Sequence, residues 1–206
     1  LHVFSVRAPE VFWPALWDFL GFIGEKGAPP YLVDRDKMPG ARFFPNARLN
    51  YAENLLRRGD DGTALVFRAE DKIERRMSWA DLNAQVSQLQ QWLRALGVGE
   101  GDRVAAIMPN APETIIALLA SASIGAVFSS CSPDFGVKGV MDRFGQIEPK
   151  VLVACDGYYY NGKRFEIGEK LRDVTGQLPS LSGVLIADYL GGSGATAAAL
   201  DKAQAW

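Results

Sequence analysis

The sequence predicts an α/β fold, with a largely parallel sheet, helices on both of its faces, and a helical, loop-rich leader before it. Three observations support this. Apolar runs of strand length alternate with amphipathic stretches of helix length from residue 61 to about residue 190. The first 60 residues lack that alternation and are rich in glycine and proline. The composition, 48% hydrophobic and 22% charged, is that of a globular chain.

The leader, residues 1–60, is predicted to contain two helices. One runs from Pro9 to about Phe22, since proline is favoured at a helix start, where its missing amide has no helical partner. The other runs from Tyr51 to Arg58, because Asn50 followed by Glu53 is typical of a helix cap.

The regular part of the chain is predicted to begin with a hairpin that turns at Glu70 and Asp71. Ser78 and Asp81 form a capping box at the start of the next helix, which carries one apolar stripe. The predicted strands are 63–68, 73–77, 102–108, 126–131, 150–155 and 183–187, and the predicted helices are 78–96, 112–124, 137–147 and 166–175.

Both ends of the chain have distinctive features. Residues 191–206 combine Gly-Gly-Ser-Gly with an alanine-rich run, which favours a tail or linker with a frayed helix. The sequence opens on Leu1 without a methionine, so we expect that the chain has been processed or cut.

Charge and composition exclude several classes of protein. The 22 Lys+Arg and 24 Asp+Glu give a net charge of −2, which argues against an overall basic nucleic-acid binder. Residues 114–133 carry no charge, but serines and Gly125 interrupt them, so a buried helix and strand fit better than a membrane span. With two cysteines and no signal-peptide pattern, we expect a reducing, cytoplasmic location and neither nucleic-acid nor membrane partners.

Nucleophilic and metal chemistry both lack the necessary residues. The single histidine, His2, lies in the leader, whereas Cys131 and Cys155 each close a predicted strand. A catalytic thiol or serine needs a neighbouring base, and a zinc site needs a set of ligands. We therefore expect no catalytic residue and no metal ligand in this chain.

The segment Gly157 to Arg164 matches the phosphate-loop pattern G-x-x-x-x-G-K, but Arg164 stands where the hydroxyl residue that binds Mg²⁺ is required. Because the segment follows a predicted strand, it should lie at the edge where open α/β sheets bind ligands. Lys163 and Arg164 are then candidates to hold a phosphate, with a tyrosine covering an adenine. A solvated surface loop explains the same residues equally well.

A second polar segment, Ser129 to Gly136, follows another predicted strand. If the strand order allows, it lies beside the tyrosine-rich segment at the same sheet edge. Asp134 is then either a ligand-facing residue or simply the cap of the following helix.

Four stretches carry motifs of a known family: ARFFPNARLNYAENLL (41–56), DRVAAIMPN (102–110), IGAVFSSCSPDFG (124–136) and DRFGQIEPK (142–150). They closely resemble the acetoacetyl-CoA synthetases, a family in the acyl-CoA synthetase branch of the adenylate-forming enzymes. The resemblance runs from about Ser5 to Tyr189. It implies that 1–60 is the leader of such an enzyme and 61–190 an incomplete first portion of its AMP-binding domain.

The resemblance also implies a function. The parent enzyme is expected to be a ligase that converts acetoacetate, ATP and CoA to acetoacetyl-CoA, AMP and pyrophosphate through an acyl-adenylate, with Mg²⁺. The ATP loop, the Mg²⁺ contacts and the catalytic lid have no counterpart in this chain. We therefore expect the chain alone to be inactive, to bind CoA at most, and to need the remainder of the parent chain as its partner.

Two loops are expected to contact CoA by analogy with related acetyl-CoA synthetases. The first receives the 3′-phosphate end of CoA and the second lies near its adenine. In this sequence the first loop comprises Tyr160, Asn161, Gly162, Lys163 and Arg164, and the second comprises Ser132, Pro133 and Asp134. Tyr160 stands where the relatives have an arginine, and we expect Arg164 to compensate for it.

Three alternatives to this interpretation are open. The chain is a stand-alone module that binds CoA or another adenine nucleotide without catalysis, or it belongs to another short-chain acyl-CoA synthetase. In the third alternative, the chain is a truncated domain whose exposed surface is an interface with the missing remainder of the parent chain.

Overall fold

The computed structural model describes residues 1–70 and 73–206, which form two compact units, Leu1–Leu55 and Leu56–Trp206. The predicted hairpin turn therefore falls partly outside the described residues, because Asp71 is not among them.

The first unit is built from short elements and aromatic contacts. Its elements are α1 (His2–Arg7), α2 (Pro9–Leu20), β1 (Leu32–Val33), β2 (Arg42–Phe43) and α3 (Tyr51–Leu55). The Trp17 ring contacts the rings of Phe22 and Phe44, with centroids 5.2 and 5.1 Å away. The buried Asn54 amide accepts from the Ile23 N–H and donates to the Ile23 carbonyl, which ties α3 to the segment after α2.

The second unit contains the alternating strands and helices. Its elements are β3 (Thr63–Ala69), β4 (Ile73–Ser78), α4 (Trp79–Ala95), β5 (Arg103–Ile107), α5 (Pro112–Ser123), β6 (Val127–Cys131), α6 (Val137–Ile147), β7 (Val151–Cys155), β8 (Gly157–Tyr160), β9 (Lys163–Glu166), α7 (Gly168–Gly176), β10 (Gly183–Ala187), α8 (Ser193–Ala198) and β11 (Ala203–Ala205). The predicted capping box is present, since the Asp81 N–H donates to the Ser78 hydroxyl oxygen at 3.0 Å.

A five-stranded parallel sheet forms the centre of this unit, in the order β11-β10-β7-β5-β6. Every residue of β7 and β10 is buried, as expected for strands covered by helices on both faces. The chain leaves β5 for β6 and then returns past β5 to β7, so right-handed crossovers place α5 and α6 on opposite faces. Helix α5 packs on α4, and α6 packs on α7. The predicted α/β fold class is confirmed.

Residues 191–206, expected to be a tail or linker, add α8 and β11 to the second unit. Strand β11 pairs in parallel with β10, with Val184 opposite Ala203 and Ile186 opposite Ala205. The alanine-rich run forms a helix because alanine is the best helix former, and this helix supplies the crossover that returns the chain to the sheet. The Gly-Gly-Ser-Gly run that begins this segment is typical of a linker, so the sequence did not predict the last crossover.

The uncharged stretch 114–133 folds as most of α5 followed by β6. Across residues 1–70 and 73–206, no helix combines the length and the apolar character needed to cross a membrane.

Gly157, the first residue of β8, has no room for a side chain. A Cβ atom on this residue would lie 2.2 Å from Leu190 Cδ1 and 2.3 Å from the Phe165 carbonyl oxygen. The carbonyl belongs to the paired strand β9, so it cannot move without breaking the ladder. The absence of a side chain is therefore required here.

We predict that Gly157→Ala lowers the free energy of unfolding by about 1 to 3 kcal/mol, because the added methyl group overpacks a fixed backbone. Gly194→Ala in α8 is the matched control, since a Cβ there meets nothing within 4 Å. The control should leave stability unchanged or raise it by up to about 1 kcal/mol. Urea denaturation of the three proteins measures both effects. Equal stability of the two variants would contradict the prediction.

Candidate functional site

The candidate site lies at the carboxyl edge of the parallel sheet. The segments that follow β5, β6, β7 and β10 all leave the sheet at this edge. The order in which strands are added to the sheet switches beside β5, because β6 lies on one side of it and β7, the next strand, lies on the other. Such switch points are where open α/β sheets bind ligands. The tyrosine-rich segment and the Ser132–Asp134 segment both begin here, as the sequence predicts.

Asp156 organises this edge. Its side chain is buried, and the residue is only 3% exposed. The carboxylate accepts hydrogen bonds from the backbone N–H groups of Tyr189, Leu190 and Gly192 at 2.7 to 3.1 Å. It therefore fixes the loop after β10 against the end of β7. Asp156 is not among the site residues predicted from the sequence, and its one sequence signal is an aspartate directly after a buried strand.

The anchored loop presents Tyr189 to two aromatic neighbours. Its ring centroid lies 6.3 Å from that of Phe67 in β3 and 6.4 Å from that of Tyr159 in β8. Burial raises the pKa of the Tyr189 phenol above its ordinary value.

Arg75 links this aromatic cluster to an ion pair. The Arg75 guanidinium lies 5.3 Å from the centroid of the Phe67 ring and makes two hydrogen bonds with the Glu113 carboxylate, at 2.6 and 2.9 Å. These contacts attach the β3–β4 hairpin to the start of α5. The bidentate geometry restricts the hairpin more than a single contact would.

The tyrosine-rich segment is an antiparallel hairpin, not an irregular loop. Strands β8 and β9 pair Tyr158 with Phe165, Tyr159 with Arg164, and Tyr160 with Lys163. The two turn residues, Asn161 and Gly162, have φ values of 49° and 72°. This is the left-handed geometry of a type I′ turn, for which Asn-Gly is the preferred sequence. The Asn-Gly dipeptide is therefore a sequence signal for this hairpin.

The hairpin places the two predicted phosphate-binding cations on opposite faces. Successive residues of a strand alternate between faces, so Lys163 shares a face with Tyr160, while Arg164 shares the other with Tyr159. Arg164 also forms an ion pair with Glu166 at 2.9 Å. It does not stand beside Lys163 and Tyr160, as the expected compensation requires.

The backbone amides of the turn bind the side chain of Glu70, the residue that follows β3. The Asn161 N–H donates to Glu70 Oε1 at 2.8 Å, and the Gly162 N–H donates to Glu70 Oε2 at 3.0 Å. One exposed carboxylate therefore binds both consecutive amides at the tip of the β8–β9 hairpin.

The second predicted loop, Ser132 to Asp134, has a buried centre. Pro133 is buried and its carbonyl accepts a hydrogen bond from the Lys170 ammonium of α7, while Ser132 and Asp134 are exposed. Burial lowers the pKa of Lys170.

The N-cap residue of α6 is Gly136. Asp134 therefore does not cap this helix, and that alternative is wrong. A flexible glycine supplies the extended backbone there instead.

The two loops come within electrostatic range of each other. Burial, and after it the Asp134 carboxylate, raises the pKa of Tyr158 in β8. The negative charge of Asp134 in the second loop therefore disfavours the ionised, negatively charged form of Tyr158 in the first segment.

Cys131 and Cys155 are free, buried thiols at the ends of β6 and β7. Burial raises their pKa values to about 11 and about 12, so both stay protonated at neutral pH and are poor nucleophiles. Among the residues that the structure describes, no group of three His, Cys, Asp or Glu side chains is arranged to hold a metal ion.

We predict that Asp156→Ala lowers the free energy of unfolding by about 2 to 3 kcal/mol, since three backbone amides lose their acceptor in a partly buried place. The exposed neighbour Asp188 supplies the control, because Asp188→Ala should change stability by less than about 0.5 kcal/mol. Thermal and urea unfolding check both values. If Asp156→Ala lowers the free energy of unfolding no more than Asp188→Ala does, Asp156 does not hold the loop.

The fold and its carboxyl-edge site define a class of protein. Residues 52–205 match the family described as AMP-binding enzyme, and the chain belongs to this family.

Individual relatives are more specific. The chain is 56% identical over 196 residues to the acetoacetyl-coenzyme A synthetase of Rhizobium meliloti (strain 1021), covering 95% of this chain and 30% of that protein. It is 39% identical to the acetoacetyl-CoA synthetase of Xenopus tropicalis, covering 92% of this chain and 29% of that protein.

A solved structure is also similar. The acetoacetyl-CoA synthetase from Streptomyces lividans matches with a TM-score of 0.88 and 40% identity, covering 100% of this chain and 31% of that one. The chain therefore spans about a third or less of the length of these relatives.

Proposed function

We propose that this chain is the N-terminal portion of an acetoacetate–CoA ligase, which joins acetoacetate to CoA at the expense of ATP and releases AMP and pyrophosphate. The observation that carries the proposal is the 56% identity to an acetoacetyl-coenzyme A synthetase over 95% of the chain. At that level of identity a shared reaction is the simplest explanation of the match.

The proposed reaction has two chemical steps. A carboxylate is a poor acyl donor, so its oxygen first attacks the α-phosphorus of ATP. Pyrophosphate leaves that phosphorus with the electron pair of the broken P–O bond, and the acyl-adenylate is formed. The CoA thiolate then attacks the acyl carbon, and AMP leaves with its electron pair. We assign the binding sites for ATP, Mg²⁺ and the acid to segments outside these 206 residues. A lid from those segments would exchange the contacts of the two steps.

The proposed domain organisation follows from the same assignment. Residues 1–60 are the leader of the enzyme, and 61–190 begin the adenylating domain. In this proposal residues 191–206 continue that domain, because α8 and β11 belong to the same sheet. The partners of the chain are the small-molecule substrates and the remainder of the parent protein. We place the enzyme in the cytoplasm, where free thiols such as Cys131 and Cys155 stay reduced.

For the chain itself we propose a share in CoA binding. Lys163 would bind the 3′-phosphate through its ammonium group, and Tyr160, which is 67% exposed, would cover the adenine from the same face of the hairpin. Asn161 and Gly162 would contribute the turn. Ser132, Pro133 and Asp134 would border the adenine, and the Lys170 hydrogen bond to Pro133 would hold them in place. Arg164 is left outside this contact.

A second candidate function is a stand-alone module that binds CoA without catalysis. The specific observation in its favour is that the carboxyl edge presents a lysine and an exposed tyrosine, while the two buried thiols are poor nucleophiles. Activity measurements on chains of different length separate the two proposals.

We predict that the isolated 206-residue chain releases no pyrophosphate from ATP in the presence of acetoacetate and CoA, whereas the complete protein releases pyrophosphate as acetoacetyl-CoA forms. A coupled pyrophosphate assay measures both. Sustained acetoacetate-dependent release by the isolated chain would contradict the assignment of catalysis to other segments. A complete protein that binds CoA but forms no thioester would favour the binding module.

We predict that the isolated chain binds CoA about three- to tenfold more tightly than dephospho-CoA, since an exposed lysine gains a charge-assisted hydrogen bond to the 3′-phosphate. Lys163→Ala should abolish the difference. Arg164→Ala is the matched control, because it removes a cation from the opposite face of the same hairpin and should preserve the difference. Titration calorimetry measures all six affinities. Equal binding of the two ligands by the unmodified chain would remove the CoA assignment.

A further inference from the structure

We propose that the Glu70 carboxylate is an internal occupant of an anion site at the tip of the β8–β9 hairpin, and that a phosphate must displace it to bind there. This deepens the proposed function and rests on it where the phosphate is identified as that of CoA. The observation behind it is the pair of hydrogen bonds from the Asn161 and Gly162 amides to the two carboxylate oxygens, at 2.8 and 3.0 Å.

The geometry is that of an anion receptor. Two consecutive backbone N–H groups point outward at the turn, where Asn161 and Gly162 both have positive φ. Consecutive amides that converge on one acceptor form a concavity suited to phosphate and carboxylate oxygens alike. Each amide binds a different oxygen of Glu70, so the carboxylate fills the receptor as one edge of a phosphate would.

A cation stands next to this receptor. Lys163 directly follows the turn and lies opposite Tyr160 in the ladder. Once Glu70 leaves, two amides and one ammonium group are available to a single anion. While Glu70 is in place, the amides are occupied and the carboxylate repels an incoming phosphate. The two anions therefore compete for the same donors.

Displacement is feasible because the contact is exposed. Glu70 and the turn residues are all exposed, so water can replace the two hydrogen bonds between the amides and the carboxylate at a small net cost. Glu70 directly follows β3 and has a φ of 45°. It belongs to the β3–β4 hairpin and therefore reaches the turn of the β8–β9 hairpin from a different hairpin. Glu70 thus lowers the affinity for weak anions and favours a ligand with a doubly charged phosphate.

The test compares Glu70→Gln with Glu74→Gln. Both substitutions remove one negative charge from the same hairpin, but Glu74 pairs with Arg68 and not with the turn. We expect Glu70→Gln to bind CoA up to about fivefold more tightly than the unmodified chain, with no change for dephospho-CoA. Glu74→Gln should change neither affinity. Titration calorimetry measures binding, and thermal unfolding verifies that each variant is folded.

A purely structural role for Glu70 predicts the opposite result. If the carboxylate only braces the turn, Glu70→Gln loosens the site, and CoA affinity falls or stays the same. Either outcome, in a chain that distinguishes CoA from dephospho-CoA, overturns the displacement proposal and leaves the CoA assignment standing.

A second measurement keeps the proposal testable if CoA does not bind. Inorganic phosphate is titrated into the unmodified chain and Glu70→Gln while the amide resonances of Asn161 and Gly162 are followed by NMR. Shifts at lower phosphate concentration in the variant support displacement even without a CoA site. Shifts in neither protein, or equal shifts in both, overturn it.

Discussion

The carboxyl edge of the sheet depends on one buried carboxylate, that of Asp156. It accepts from three backbone amides of the loop after β10 and thereby brings that loop against the start of β8. The resulting crowding excludes any side chain at Gly157, the next residue. The same loop carries Tyr189, whose backbone N–H is bound by Asp156 and whose ring contacts that of Phe67. The candidate site is therefore built on a buried polar contact at the end of an apolar strand.

Much of the fold could be predicted because its strands are buried and its helices have one apolar face. The bounds of α6 and β10 agree residue for residue with the predictions, since a proline or glycine marks their ends. The β8–β9 hairpin was missed because three tyrosines suggested a loop, although Asn161-Gly162 is a turn signal in its own right. Helix α7 consequently begins at Gly168, two residues later than predicted, because Glu166 still belongs to β9.

The candidate site was less predictable, because its contacts depend on register and on distant segments. Spacing along the chain makes Lys163 and Arg164 neighbours, whereas strand pairing separates them onto opposite faces. Glu70 reaches the turn across 91 residues of sequence, and no local pattern reports such a contact. Asp156 is a similar case, since its acceptor role depends on a loop more than thirty residues away. Local patterns thus locate the edge of the sheet, and only tertiary structure assigns the groups that act there.

The strand order has a consequence for how the chain acquires its structure during synthesis. Strand β5 lies inside the sheet but precedes both of its neighbours, so it emerges with two unpaired edges. One edge is covered by β6, and the other stays open until Val151 arrives to pair with Val104. Contacts over such separations form slowly and leave apolar strands exposed meanwhile. The switch in strand order that creates a ligand-binding edge in the finished protein therefore also leaves one edge of an apolar strand unpaired until β7 has been synthesised.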